Sequence, residues 1–344
     1  MAEIVALGDV NVDIIAHFAS YPGKGDDALA YSTEIHCGGS AANTAMALSR
    51  MGLGVVLISR VGPDSLALKA LNSLREAGVI ASGLQRDPAA MTGLMYVVVT
   101  PDGERTILGH RGANVLTDPE QMREEDIRDA KVLHLSGYAL LADPQRSAAF
   151  LALEMACRHG LTVTLDPGMS VPQAALDEMR ALLPVIDLFL PNLREAQALT
   201  GADSPQACFR ALLAAGARVV ALKLGEHGCL IGGEEGPVYV PGFAVEARDT
   251  TGAGDFYAAG MIAGWLGGLD RRSAAVLGNA MGAMAVARVG AGASVPQARD
   301  VLALLSDPRQ SSGQGRREEA IRQVIDFVRT LATEPEEEGK PWWK

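Results

Sequence analysis

The run Asp249-Thr250-Thr251-Gly252-Ala253-Gly254-Asp255, followed by the apolar, helix-like stretch from Phe256 to Trp265, is the part of the chain best suited to chemistry. Two glycines let backbone amides come close to a ligand, and the helix that follows aims its unpaired first N–H groups at the same point. Such a turn binds anions. A carboxylate in a phosphate-binding site repels its ligand unless it has a chemical duty, and the fitting duty is to take the proton from a hydroxyl that attacks phosphorus. Asp255 is therefore read as a general base. The plain alternative is a Gly-rich turn whose acid rests favourably on the helix dipole.

A second Gly-rich segment, Gly38-Gly39-Ser40-Ala41-Ala42-Asn43-Thr44-Ala45, opens another helix, and Asn11 and Asp13 stand early in the chain. Alone, the glycine pair signals only a tight turn needing positive φ, and Asp13 a solvated loop carboxylate. Pro191-Asn192-Leu193-Arg194-Glu195 follows a strand and begins a helix, with Asn at the N-cap and Glu three residues on, a capping-box variant that needs no ligand. Lys223-Leu224-Gly225-Glu226-His227-Gly228 lies between two apolar runs and by itself reads as a hairpin. His110, His134 and His227 lack metal-ligand spacing or a serine partner and are read as structural.

Taken together, the two Gly-rich segments, GG-x-x-x-N-x-A and D-T-x-G-A-G-D in that order, resemble the signatures of the ribokinase-like carbohydrate kinases, the phosphofructokinase B family. The resemblance runs from about Ile4 to about Arg299. It implies a three-layer α/β/α sandwich with a mostly parallel central sheet and a small projecting β-sheet lid, and transfer of the γ-phosphoryl group of ATP to a hydroxymethyl group of a sugar or nucleoside. Residue by residue it implies Asp255 as catalytic base and Gly252, Ala253 and Gly254 as the amide pocket for the phosphoryl oxygens. Asp13 and Asn43, with the Gly38 and Gly39 backbone, would bind sugar hydroxyls, and Asn11 is a lesser candidate. Asn192 and Glu195 match an N-x-x-E element that supports magnesium and the triphosphate, largely through water, as suits a cation that keeps its hydration. Lys223, Gly225 and Gly228 match a loop along the nucleotide. Asn279 falls beside it, although a buried Asn satisfying nearby backbone is an equal reading. Asp249, Thr251 and the segment ending at Ser294 resemble a monovalent cation site, making potassium a further expected cofactor. Arg111, on the lid with Arg105, is a candidate contact for a charged or keto-sugar substrate.

The elements that must hold these residues are legible as an alternation. Short β-branched runs, among them Ile4–Leu7, Val55–Ser59, Val132–Leu135, Leu161–Leu165, Leu188–Leu190 and Val219–Leu222, recur between helix-like segments such as Ala41–Arg50, Ser65–Ala77, Ser147–Arg158 and Pro205–Ala215. Gly52, Gly78, Gly160 and Gly216 follow those helices as stops. This is the pattern of βαβ units around a mostly parallel sheet. Two insertions, about 12–36 and 92–114, break the rhythm with hairpin chemistry and are expected to form the lid, with substrate beneath. The kinase domain is expected over 1–305, and 306–344 is an extension holding one helix, 316–333, and a polar tail.

Composition narrows the partners. The 344 residues are 48% hydrophobic and 21% charged, as in a soluble enzyme, and a net charge of −11 opposes nucleic acid or an anionic membrane. No apolar stretch is long enough to span a bilayer and no leader is evident, and the four cysteines lack C-x-x-C spacing, so a reduced cytoplasmic setting is expected. A homodimer through the lid sheet is expected by resemblance. A dinucleotide-dependent oxidoreductase fares badly, because Gly8-Asp9-Val10-Asn11-Val12-Asp13 after the first strand is not G-x-G-x-x-G, and an ordinary P-loop nucleotide hydrolase is disfavoured because no G-x-x-x-x-G-K-[ST] run is present. A nucleoside kinase, or a sugar-binding regulator without catalysis, would use the same fold.

Overall fold

The computed structural model describes residues 2–102, 104–168, 173–287, 295–310 and 315–332. Thirteen strands are present among them: β1 (Ile4–Leu7), β2 (Asn11–His17), β3 (Ser32–Gly38), β4 (Val55–Val61), β5 (Leu84–Arg86), β6 (Gly93–Val99), β7 (Arg105–His110), β8 (Val132–Ser136), β9 (Thr162–Asp166), β10 (Leu188–Phe189), β11 (Val219–Lys223), β12 (Cys229–Gly233) and β13 (Gly236–Val240). Nine of them form one sheet in the order β13-β12-β11-β10-β9-β8-β1-β4-β5. It is parallel from β11 to β5 and antiparallel only at the β11-β12-β13 edge.

A parallel strand covered on both faces must be apolar on both, which explains the unbroken runs in the sequence. In β1, Ile4 and Ala6 enter one core cluster, while Val5 and Leu7 enter the other. Helices Ser40–Arg50, Ser65–Ala77, Ala253–Leu266 and Arg271–Val286 contribute to the first cluster. Helices Gln145–His159, Leu193–Thr200 and Pro205–Ala214 contribute to the second, completing three layers. Helix Ala253–Leu266 is apolar all round and lies tight on helix Arg271–Val286: a Cβ on Gly260 would sit 2.7 Å from the Gly278 Cα. Two predicted helix stops, Gly78 and Gly160, are left-handed C-caps, at φ 86 and φ 72.

The lid is the second sheet, in the order β3-β2-β6-β7. Its strands begin at Asn11 and Gly93, and the hairpin read from Tyr96–Thr100 and Arg105–Leu108 is the antiparallel β6-β7 pair. The register places Ile35, Ile14, Tyr96 and Leu108 side by side in one row across all four strands. Asp13, His17 and, through Val99, Arg105 belong to the opposite set of alternating residues.

The β12-β13 hairpin was not singled out in the sequence, because its short runs are interrupted by glycine. The structure shows what the glycines permit: a Cβ on Gly232 would lie 2.1 Å from the Gly236 carbonyl oxygen. Helix Arg316–Ala332 buries Ala320, Ile321, Val324 and Val328 in the first core cluster. The preceding Gln310 side chain accepts from the Ala244 amide at 3.0 Å and donates to the Ala244 carbonyl at 2.8 Å. Arg317 donates to the Gly242 carbonyl and covers the Phe243 ring at 5.3 Å. The extension therefore grips the segment that leaves β13. The tail expected from Glu334 onward and the cation segment ending at Ser294 lie outside the described residues.

Candidate active site

The cleft residues gather at the carboxyl ends of the parallel strands, the usual ligand edge of an open α/β sheet. Asp9 follows β1, Asp166 ends β9, Asn192 follows β10 and Lys223 ends β11. At the centre, two helix N-termini converge. Gly252, in the left-handed region at φ 75, is the N-cap of helix Ala253–Leu266, and Asp255 lies in its first turn. Gly39, at φ 98, is the N-cap of helix Ser40–Arg50, and a Cβ there would meet the Asp9 carbonyl oxygen at 2.3 Å. Only glycine satisfies both demands.

Each oxygen of the partly exposed Asp255 carboxylate is held from the other helix. Ser40 Oγ donates to Oδ1 and Asn43 Nδ2 donates to Oδ2, both at 2.8 Å, while Thr44 Oγ donates to the Asp255 carbonyl at 3.2 Å. Burial, and then the nearby Asp166 charge, raise the Asp255 pKa to about 6; the bonds from Asn43 and Ser40 and the charge of Lys223 pull the other way. Asp255 is thus fixed in orientation yet close to neutrality in basicity, which suits an acceptor of a proton at physiological pH.

Asp13 stands next to this group. It is 8% exposed, its Oδ1 has no hydrogen-bond partner, and burial together with the charges of Asp255 and Asp249 lifts its pKa to about 7. Gly38 makes room for it, since a Cβ there would lie 2.2 Å from the Asp13 carboxylate. Asn43 Oδ1 is likewise buried without a partner. Two such acceptors beside Asp255 are costly in a folded chain and fit a polyhydroxylated ligand.

On the other flank Lys223 Nζ bonds Asp166 Oδ2 at 2.6 Å, and the ammonium is 3.3 Å from where a Cβ on Gly254 would be. Asn192 and Glu195 form the reciprocal capping box, at 2.9 Å and 2.7 Å, so the cap exists whatever else they do. Glu195 is buried and its pKa is raised to about 7 by desolvation, opposed chiefly by Lys223. Its element touches Lys223 directly, through the Lys223 amide to the Pro191 carbonyl at 2.8 Å. Gly225 and Gly228 turn the chain between β11 and β12 with φ 62 and φ 91. Asn279 donates to the Val240 and Pro241 carbonyls, both at 3.2 Å. Asp249 folds its own loop, accepting from the Thr251 amide at 2.8 Å and the Thr251 hydroxyl at 2.7 Å.

Not every candidate converges on Asp255. Arg111 spends its guanidinium on Asp9, with two bonds of 2.8 Å, and on Gln145. Asn11 accepts from Asn114 at 2.9 Å, and Asn114 also brackets the Val10 amide and carbonyl. Both shape the strand that carries Asp13. His134 is buried, with Nδ1 2.9 Å from the Thr164 hydroxyl, and burial depresses its pKa to about 4. Ser40, Asp166, Asp9 and Gln145 contribute to the site without having been singled out. Ser40 alone had a readable cue, a hydroxyl at a helix entry inside the glycine motif.

A fold of this kind, a large mostly parallel sheet between helices with a smaller sheet beside it, has counterparts among known structures. The structure resembles that of an Arabidopsis thaliana ribokinase complexed with ribose and ATP, at TM-score 0.77 and 25% identity, covering 89% of this chain and 100% of that one. It also shares its fold with a Thermotoga maritima ribokinase, at TM-score 0.77 and 24% identity, with 89% and 100% covered. In sequence it is 34% identical over 314 residues to an ATP-dependent ribose-1-phosphate kinase of Halopiger xanaduensis, spanning 89% of this chain and 99% of that protein. Residues 1–298 match the pfkB family carbohydrate kinase pattern from end to end of the sandwich and lid, so the chain belongs to that family of carbohydrate kinases.

Proposed function

We propose that this kinase transfers the γ-phosphoryl group of ATP to a primary hydroxyl of a pentose-sized sugar or sugar derivative. The observation that carries the reading is the Asp255 carboxylate, pinned by Ser40 and Asn43 at the start of an anion-binding helix and flanked by the unsatisfied Asp13 Oδ1. Asp13 and Asn43 accept from sugar hydroxyls and hold the reacting hydroxyl against Asp255. Asp255 takes its proton as the oxygen attacks phosphorus, and the amides of Gly252, Ala253 and Gly254 receive the charge that spreads over the equatorial oxygens. Lys223, released in part from Asp166, adds a cation on the same side. Arg111 fixes Asp9 and so the wall of the sugar pocket.

ATP lies along Asn192, Lys223 and the Gly225–Gly228 turn, with Asn279 holding the far wall through its bonds to Val240 and Pro241. Among the described residues no cluster of three His, Cys, Asp or Glu side chains is arranged to hold a metal directly. Magnesium carried by the nucleotide and met by Glu195 through water fits the buried, poorly neutralised carboxylate there. That ion neutralises the phosphate oxygens when bound. The Asp249 and Thr251 oxygens expected to hold potassium already face Arg105, so the reading does not require that ion.

The lid row Ile35, Ile14, Tyr96 and Leu108, with Ile35, Tyr96 and Leu108 each about half exposed, supports a homodimer built on the lid sheet. Cys37, Cys208 and Cys229 are buried and unbridged, and among the described residues no helix is long and apolar enough to cross a membrane; both suit a cytoplasmic enzyme. ADP release with magnesium and ATP, measured over ribose, ribose 1-phosphate, deoxyribose, fructose, ketogluconates and adenosine, tests the reading. A sugar giving turnover above the ATPase background supports it. Adenosine as the best acceptor would move the assignment to a nucleoside kinase, and saturable sugar binding without ADP release to a regulator.

A further inference from the structure

Arg105 is the first residue of β7, the edge strand of the lid, yet its side chain ends on the body of the molecule. Its Nη1 lies 2.8 Å from Asp249 Oδ1, and the guanidinium also donates to the hydroxyls of Thr250 and Thr251. The three partners are consecutive and immediately precede Gly252, the left-handed residue that starts the anion-binding helix. Asp249 Oδ1 in turn accepts from the Thr251 amide and hydroxyl, so one carboxylate oxygen both closes this turn and meets the lid. The Arg105 side chain is 25% exposed and that of Asp249 9%, so the contact sits at the rim of the cleft and not on open surface. Asp13, Asp249 and Asp255 lie close enough for the charges of the latter two to act on the first. The lid's cation meets Asp249, one of these three carboxylates.

Resting on the kinase reading above, we propose that Arg105 is a positioning residue: its guanidinium, reaching from the lid to Asp249, holds the turn 249–252 in the shape that grips the transferring group. The lid's own side chain thereby supplies, beside Asp249 and Thr251, the positive charge for which an inorganic ion would otherwise be needed. One side chain thereby ties the lid to the phosphoryl pocket, so a change at the lid edge is felt where the transferring group is held. An ion pair at the surface with no such duty contributes little and its loss is silent.

The test uses the full chain, Arg105→Gln and Arg105→Lys, with the sugar the wild type phosphorylates best. Arg105→Gln is expected to lower kcat about 10- to 100-fold while the sugar Kd by calorimetry stays within about threefold and the thermal midpoint within about two degrees. Arg105→Lys, which keeps the charge but not the fork, recovers part of the loss. In an Asp249→Asn background, Arg105→Gln costs no more than about a further twofold, because the two act as one unit. Wild-type rates agree within about twofold in potassium, sodium and tetramethylammonium. The proposal is overturned if Arg105→Gln keeps wild-type kcat, if its effect is undiminished without Asp249, or if the wild type needs potassium; in each case the kinase reading still stands. A wild type that phosphorylates no sugar removes the kinase reading and this one with it.

Discussion

Replacing Asp255 by Asn removes the proposed base while leaving its shape. The two donors that hold the carboxylate adapt readily. Asn43 Nδ2 finds the new amide oxygen, and the Ser40 hydroxyl, which now donates to Oδ1 at 2.8 Å, rotates to accept from the new amide nitrogen. Folding does not suffer. The folded pKa of Asp255, about 6, is raised from the ordinary 3.8, so ionisation in the native state costs stability as pH rises through that range. A neutral isostere relieves that cost, on the order of 3 kcal/mol at pH 8. The variant is therefore at least as stable as the wild type, and its sugar and nucleotide affinities change only a few fold. The loss falls on chemistry: about 10² to 10⁴ in kcat, equal to roughly 3 to 5 kcal/mol of transition-state stabilisation. Stopped single-turnover ADP release gives the rate, calorimetry the affinities and differential scanning the midpoint. The reasoning fails if the thermal midpoint drops or if both affinities collapse in step with kcat, since Asp255 would then be a structural post between two helices.

Three further outcomes are expected. With Asp255 near 6 and Asp13 near 7, kcat/KM should fall toward tenfold per unit as pH drops below about 7 and steepen toward a hundredfold per unit below about 6, whereas a flat profile down to pH 5 would count against both groups. Asp13→Asn should raise the thermal midpoint by a few degrees at pH 8, because the raised pKa means wild-type stability is lost as pH rises through about 7; the gain should fade toward pH 4, and sugar affinity should fall at every pH. Gln310→Ala deletes both bonds to Ala244 and should cost about 1–2 kcal/mol in denaturant melts and raise the KM for ATP about two- to fivefold with the sugar KM unchanged; an equal rise in both would mean the extension only stabilises.

How much of this was written in the order of residues differs from part to part. The β1, β4, β8 and β9 runs were readable because a strand covered on both faces must be apolar throughout, and Gly78 and Gly160 because a left-handed C-cap selects glycine. The central pair of Gly-rich helix starts was visible for the same reason, as Gly39 and Gly252 meet conformations closed to other residues. What stayed hidden were pairings between distant side chains. Asp166 with Lys223, Arg111 with Asp9 and Arg105 with Asp249 join residues separated by 57, 102 and 144 positions, and no local pattern of charge or hydropathy encodes such a meeting. Ser40 lay inside a noticed motif without a role of its own there, and the structure turns it toward Asp255.

The grip of Ser40 and Asn43 on Asp255 spans 215 and 212 residues, so with Asp255 as the proposed base the two ends of the family fold must meet before the enzyme can work. Early and late parts of a nascent chain, each able to nucleate its own βαβ units, share no catalytic competence until that meeting. Recovery of turnover after dilution from denaturant is therefore a clock for the last long-range association, running behind the return of helical circular dichroism. The same separation makes the chain a natural split reporter: two fragments divided between β8 and β9 would each be inert, and phosphoryl transfer would register their reunion.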